Sequence, residues 1–165
     1  MYTTTAFTVA LLTLVEQAFA QTADQNDKYP RWAKEMDLNG YTWEAIEVTT
    51  DDDYILTTFH ITGTKEGGLF KPTKPPVLIQ HGLMQDASSW MEDYHTNPPF
   101  YYTAGKPMPL QLADLGYDVF MGNNRGTEYS LGHKSLSTEE QAYWEFSWAQ
   151  MGLYDDPANI TMIKN

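Results

Sequence analysis

Cysteine is absent from all 165 residues, which excludes a disulfide framework and a thiolate metal site and leaves redox usage silent about the compartment. Basic residues are scarce, 10 Lys plus Arg against 22 Asp plus Glu, for a net charge of −12. A surface of that sign repels phosphate backbones, so no nucleic acid partner is expected. The histidines His60, His81, His95 and His133 lack the tight spacing of an H-E-x-x-H site, and no metal is expected. Neither G-x-G-x-x-G nor G-x-x-x-x-G-K-[ST] occurs, so a nucleotide cofactor has no support and none is expected. The nucleophile-elbow pattern G-x-S-x-G is also missing.

What is present begins with an apolar stretch, Ala6 to Val15, too short to span a bilayer and followed by Ala18-Phe19-Ala20 and a polar run. This reads as a secretory signal peptide over residues 1–20, with no transmembrane span after its cleavage. Residues 21–31 read as a flexible leader, polar and turn-rich from Gln21 to Lys28. The fold is expected over 32–165. Trp32 to Met36 predicts a short helix ending near Asn39-Gly40, and Trp43 to Val48 with Tyr54 to Ile61 predicts a two-stranded β-meander around the acidic turn Thr50-Asp51-Asp52-Asp53. Val77-Leu78-Ile79 has no polar alternation, as for a strand buried on both faces of a parallel sheet. Residues 84–106 form a long connection in which Ala87 to Met91 predicts a short helix. Leu110 to Leu115 has helical spacing with Gly116 at the cap and Tyr117 to Met121 as the next strand, which completes a βαβ unit. Two further helices are expected, Gln141 to Ala149 and Pro157 to Lys164, the second with Asp156 as its N-cap.

A strand that ends in His81-Gly82-Leu83 puts glycine where backbone closely approaches a ligand, with the next N–H free to face an anion. An oxyanion hole has this form, and so does a plain turn. Gly122-Asn123-Asn124-Arg125-Gly126 follows the second strand in the same way, and its Arg125 either binds an anion or, as we favour, ties neighbouring loops together. Tyr143, Trp144, Phe146 and Trp148 line an acyl pocket or fill the core, and their helical spacing favours the core. Asn159-Ile160-Thr161 is a formal glycosylation sequon inside a predicted helix.

The segments QHGLMQDASSW (Gln80 to Trp90), LADLGYDVFMGNNRGTEYS (Leu112 to Ser130) and YWEFSWAQMGLYDDPANITMI (Tyr143 to Ile163) together resemble the acid lipase family of gastric and lysosomal lipases. EVTTDDDYILTTFHI (Glu47 to Ile61) resembles the meander that opens those proteins. The resemblance implies an α/β fold, the N-terminal portion of an α/β-hydrolase with a β-meander followed by the first βαβ unit, cut before the nucleophile elbow. It further implies a secreted or lysosomal lipase acting on triacylglycerol or cholesteryl ester at a lipid–water interface through a Ser-Asp-His triad, without a cofactor. By match to the family motif, Leu83 supplies one oxyanion-hole N–H, and His81, Gly82, Asn124, Arg125 and Gly126 form the supporting loops. No catalytic residue is assigned within the chain. The nucleophile is expected beyond Asn165, so the chain alone is expected to be inactive. The alternative is a non-catalytic lipid-binding or interaction module derived from a lipase. Two departures from the family pattern are Asp53, where glycine is usual, and an insertion-like stretch from Tyr94 to Pro107.

Overall fold

A computed structural model describes residues 23–91 and 105–165. The expected signal peptide, and most of the insertion-like stretch, lie outside the described residues.

The segment expected to be an irregular leader is helical over residues 23–28, and helix α1 follows at Pro30–Asn39. Its polar residues contact the sheet instead of solvent alone. The Gln25 side chain accepts from Ala45 N at 2.8 Å and donates to the Trp43 carbonyl at 3.2 Å, satisfying backbone groups of a strand that, among the described residues, has a neighbouring strand on one side only. Proline opens α1 where its missing N–H is harmless, and Gly40 closes it at φ +75°. Trp32 and Met36, one turn apart, are its buried face.

Strands β1 (Tyr41–Thr49) and β2 (Tyr54–Thr64) pair antiparallel from Thr49 opposite Ile55 to Tyr41 opposite Thr64, with a bulge at Thr42/Trp43. The turn between them needs one residue at φ +71°, and Asp53 occupies it. Aspartate tolerates the left-handed region better than most side chains, so the turn survives the departure from glycine.

A short strand β3 (Gly68–Leu69) pairs with β2, followed by β4 (Pro76–Gln80), helix α2 (Met108–Asp114) and β5 (Asp118–Gly122). β4 and β5 are parallel and α2 lies between them in sequence, which is the expected βαβ unit. Gly116, at φ +90°, lets the chain leave α2 while its carbonyl accepts from Thr73 N and Lys74 N, both at 3.0 Å. With β6 (Gly132–His133) also on β2, the sheet runs β1-β2-β5-β4. The central strand β5 is buried from Val119 to Gly122, whereas in β4 only Ile79 is. The expectation that Val77-Leu78-Ile79 is buried on both faces is met at Ile79, while Val77 and Leu78 are half-buried.

Alternation along β2 sends Phe59 and Ile61 to one face and Tyr54 and Leu56 to the other. The first face packs against Trp32, Met36, Leu110 and Met121, and the second against Tyr143, Phe146, Ala158 and Met162. His60 links three strands, with Nδ1 2.7 Å from Glu44, Nε2 2.7 Å from Asp118 and its ring stacked on Phe120 at 4.3 Å.

The helix expected over Gln141 to Ala149 is broken. A 3-10 turn covers Gln141–Trp144, the chain extends through 145–147, and helix α3 (Trp148–Gln150) restarts under a capping box between Ser147 and Gln150. A π turn, Met151–Asp155, then runs into α4 (Asp156–Lys164), so Asp156 is inside a continuous helical run and not its N-cap. Proline at 157 has no N–H for the turn behind it, and the wider turn absorbs the missing bond. Asn159 of the sequon is fully buried and accepts from Thr58 Oγ1 at 2.5 Å, so its amide is not presented for glycosylation. Among the described residues no helix is long and apolar enough to cross a membrane.

Candidate functional site

Because β4 and β5 are parallel neighbours, their carboxyl ends open on the same side, and the loops that follow them face each other. His81 joins the two. Its Nε2 accepts from Asn124 N at 3.1 Å, so Nδ1 carries the proton that it donates to the Gly82 carbonyl at 2.8 Å. Within the turn after β4, Gly82 N–H donates to Gln85 Oε1 at 3.2 Å and Gln85 N–H to the Gly82 carbonyl at 3.3 Å. Leu83 N–H and Met84 N–H have no partner among the described residues. Met84 stands at φ +60°, an unusual conformation for a side chain of its size, and is 95% exposed.

The far end of this turn is fixed by Asp86. One oxygen caps the 3-10 turn Ala87–Trp90 through Ser88 N at 2.8 Å, and the other pairs with the Arg31 guanidinium from α1. Arg31 also donates to Tyr129 Oη at 3.0 Å, and that phenol lies 2.7 Å from Ser88 Oγ. Burial pushes the Tyr129 hydroxyl above its ordinary range, against the pull of Ser88 and Arg31. Asn123, fully buried, holds the second loop: its Oδ1 accepts from Ala87 N and its Nδ2 donates to the Thr57 carbonyl, each at 2.9 Å.

Arg125 is buried beneath the loops and fully engaged. It donates to both oxygens of Asp52 at 2.6 and 2.7 Å and through Nε to Asp155 at 2.8 Å, with its guanidinium 3.9 Å from the centre of the Tyr54 ring. It therefore ties the β1–β2 turn and the π turn to the loop after β5, with its positive charge shared between two carboxylates of the chain itself. Burial would raise the Asp52 carboxyl, but hydrogen bonds from Arg125 and Thr50 hold it below the usual range. Asp155 has no exposure, and there burial prevails over Arg125 and pushes the carboxyl up.

Between the two loops and the 144–152 segment lies a cleft of about 700 Å³. His81, Gly82, Leu83, Asn124, Arg125 and Gly126 all border it. So do Trp144, Phe146 and Trp148, which the sequence favoured as core; only Tyr143 of that group is buried, its phenol pushed up to about 12 by burial. The broken helix explains the difference, since without one helical face the four rings need not share an environment. Gly126, at φ +79°, lets the wall close: a Cβ there would lie 2.9 Å from Phe146 Cζ and 3.2 Å from Trp144 Cζ3. Asp52 and Asp155, the partners of Arg125, and Asp86, the partner of Arg31, lie 73, 30 and 55 residues from those arginines, and only an arginine's need for acidic partners points to them.

Asp156 also lines the cleft, and burial pushes its carboxyl above the ordinary range while His81 draws it back. A folded-state value above the unfolded one favours the fold at pH below it and weighs against the fold as pH rises through it. Asp156→Asn is therefore expected to be more stable than the parent chain at pH 7, with the gap closing as pH falls toward about 4. Urea midpoints at the two pH values check this, and a gap that does not change with pH would refute it.

A family profile described as the partial alpha/beta-hydrolase lipase region matches residues 33–94. Lipase member N of Homo sapiens is 39% identical over 127 residues, 77% of this chain and 30% of that protein. Triacylglycerol lipase 2 of Arabidopsis thaliana is 39% identical over 128 residues, 76% of this chain and 28% of its own. Lysosomal acid lipase/cholesteryl ester hydrolase of Homo sapiens is 38% identical over 126 residues, 76% and 29%. The chain thus spans less than a third of the length of these relatives. Sheet order and sequence likeness agree, and the chain belongs to the acid lipase family of α/β-hydrolases, whose partial lipase region it carries.

Proposed function

We propose that this chain is the oxyanion-stabilising part of a secretory-pathway lipase that hydrolyses neutral lipid esters, triacylglycerol or cholesteryl ester, at a lipid–water interface. The observation that carries the reading is the Leu83 N–H, without a partner among the described residues, in a turn at the carboxyl end of a parallel strand and bordering an apolar cleft. When a nucleophile adds to an ester carbonyl, negative charge gathers on the oxygen, and a donor already held in place stabilises it without reorganisation. His81 is a positioning residue. Its proton is committed to the Gly82 carbonyl and its other nitrogen to Asn124, so it holds the turn and is not available as a general base. The names of the relatives support the substrate class, and the apolar segment before Ala20 supports the secretory route.

The 165 residues contain no G-x-S-x-G serine, so the chain alone is expected to resist labelling by a fluorophosphonate probe. In a longer chain that includes such a serine, Leu83→Pro removes the N–H and is expected to lower kcat about 10²–10³-fold, the usual effect of losing one oxyanion donor. Leu83→Ala keeps the N–H and should retain kcat. Equal losses in the two variants would assign the effect to the side chain and overturn the reading.

A further inference from the structure

The 144–151 segment points to a second property of the cleft. Trp144 is 47% and Trp148 69% exposed, yet both rings border the same cavity as the turn at Leu83, together with Phe146 and Met151. Aromatic rings left this open to water lose little by taking an apolar chain onto their faces, and gain the free energy of covering that area. The charges around them are not balanced. Arg125 answers both Asp52 and Asp155, Arg31 answers both Asp86 and Glu128, and Asp156 stands on the lining beside them. Among the described residues no lysine borders the cleft.

We propose that Trp144, Phe146, Trp148 and Met151 form the wall on which the acyl chain of an uncharged ester lies, and that the surrounding carboxylates repel the fatty acid anion that hydrolysis releases. This rests on the reading of the cleft as a lipid ester site. The apolar wall selects the chain, and the acidic surroundings select its head group. Hydrolysis turns a neutral ester into an alcohol and a carboxylate, so the product acquires the charge that the cleft disfavours. Arg125 sits in the lining but does not offset this, because its charge is shared between Asp52 and Asp155 and its side chain is buried.

The test is calorimetric binding to the 165-residue chain, which has no elbow serine to turn the ligand over, with methyl decanoate and sodium decanoate as matched probes below their aggregation limits. At pH 8 the ester is expected to bind about tenfold or more tighter than the anion, since a like charge within several ångströms at the protein surface is worth that much. Trp148→Ala is expected to weaken ester binding about tenfold, with its circular dichroism unchanged because the ring is largely exposed. Asp156→Asn should narrow the preference for ester over anion. Equal affinity for ester and anion would overturn the charge selection, and unchanged affinity in Trp148→Ala would overturn the wall. If sedimentation finds the wall occupied by a second copy and ester does not displace it, the proposal also falls. Failure here with the Leu83→Pro effect intact would reject the acyl wall alone. Ester binding without that effect would reject the oxyanion reading alone.

Discussion

Arg125→Met is expected to lower the free energy of unfolding by about 3–5 kcal/mol, the range for removing one partner of a buried ion pair. The guanidinium is 1% exposed and the Asp155 carboxylate not at all, so the substitution strands a carboxylate where water does not reach. Asp155 also accepts from the Arg125 backbone N–H at 3.0 Å, and that single bond cannot replace the charge. Asp52 loses less, because its side chain is 28% exposed and solvent takes over its hydration. The loss should therefore be uneven. Adding Asp155→Asn to Arg125→Met is expected to recover a large part of it, whereas adding Asp52→Asn recovers little. Urea titrations of the single and double variants form the cycle that separates the two couplings. A loss under 1 kcal/mol for Arg125→Met would mean that Asp155 is hydrated after all.

Trp32→Ala is expected to cost a further 3–5 kcal/mol by an unrelated route, cavity formation in an aromatic cluster. The Trp32 ring is fully buried and stacks on Phe59 with centroids 4.4 Å apart and planes 12° from parallel. Trp43 meets the edges of both, at 6.3 Å from Trp32 and 5.4 Å from Phe59. None of the three can collapse into the vacated volume without giving up its contact with the others. Leu38, on the same helix but 60% exposed, gives the control: Leu38→Ala should stay within about 0.5 kcal/mol of the parent. Thermal melts of the two variants decide it. Similar small losses in both would mean that α1 is not part of the folding unit.

Elements whose evidence lies within a few residues of themselves were legible before any coordinates. α1 has its apolar spacing and closing glycine, the β1–β2 hairpin has β-branched runs around an acidic turn, and the βαβ unit has two apolar strands about one amphipathic helix. What escaped the sequence depended on partners distant along the chain. Gln25 reads as linker because nothing near it reveals that it will bond to Trp43 and Ala45. Arg125 reads as an anchor of some kind, but its partners lie 73 and 30 residues away, in two acidic runs that each look like turn or cap chemistry. The break at 145–147 was missed for a different reason. Ser147 and Gln150 form a helix start in the middle of a helical pattern, where the spacing of apolar residues hides it. The same break separates the aromatic side chains, so three rings expected in the core border the cleft.

The π turn at Met151–Asp155 sets the angular phase between two parts of one helical run. An α-helix turns about 100° per residue, so one residue of extra winding rotates everything beyond it by roughly that angle. Trp148 ahead of the turn and Met151 at its start border the cleft, while Asp155 at its end and Asn159 beyond it face the buried arginine and the sheet. A single insertion or deletion at this point would swing the wall against the floor and leave every strand where it is. The width of the cleft is thus a separately adjustable dimension, governed by the length of one turn and not by the architecture that carries it.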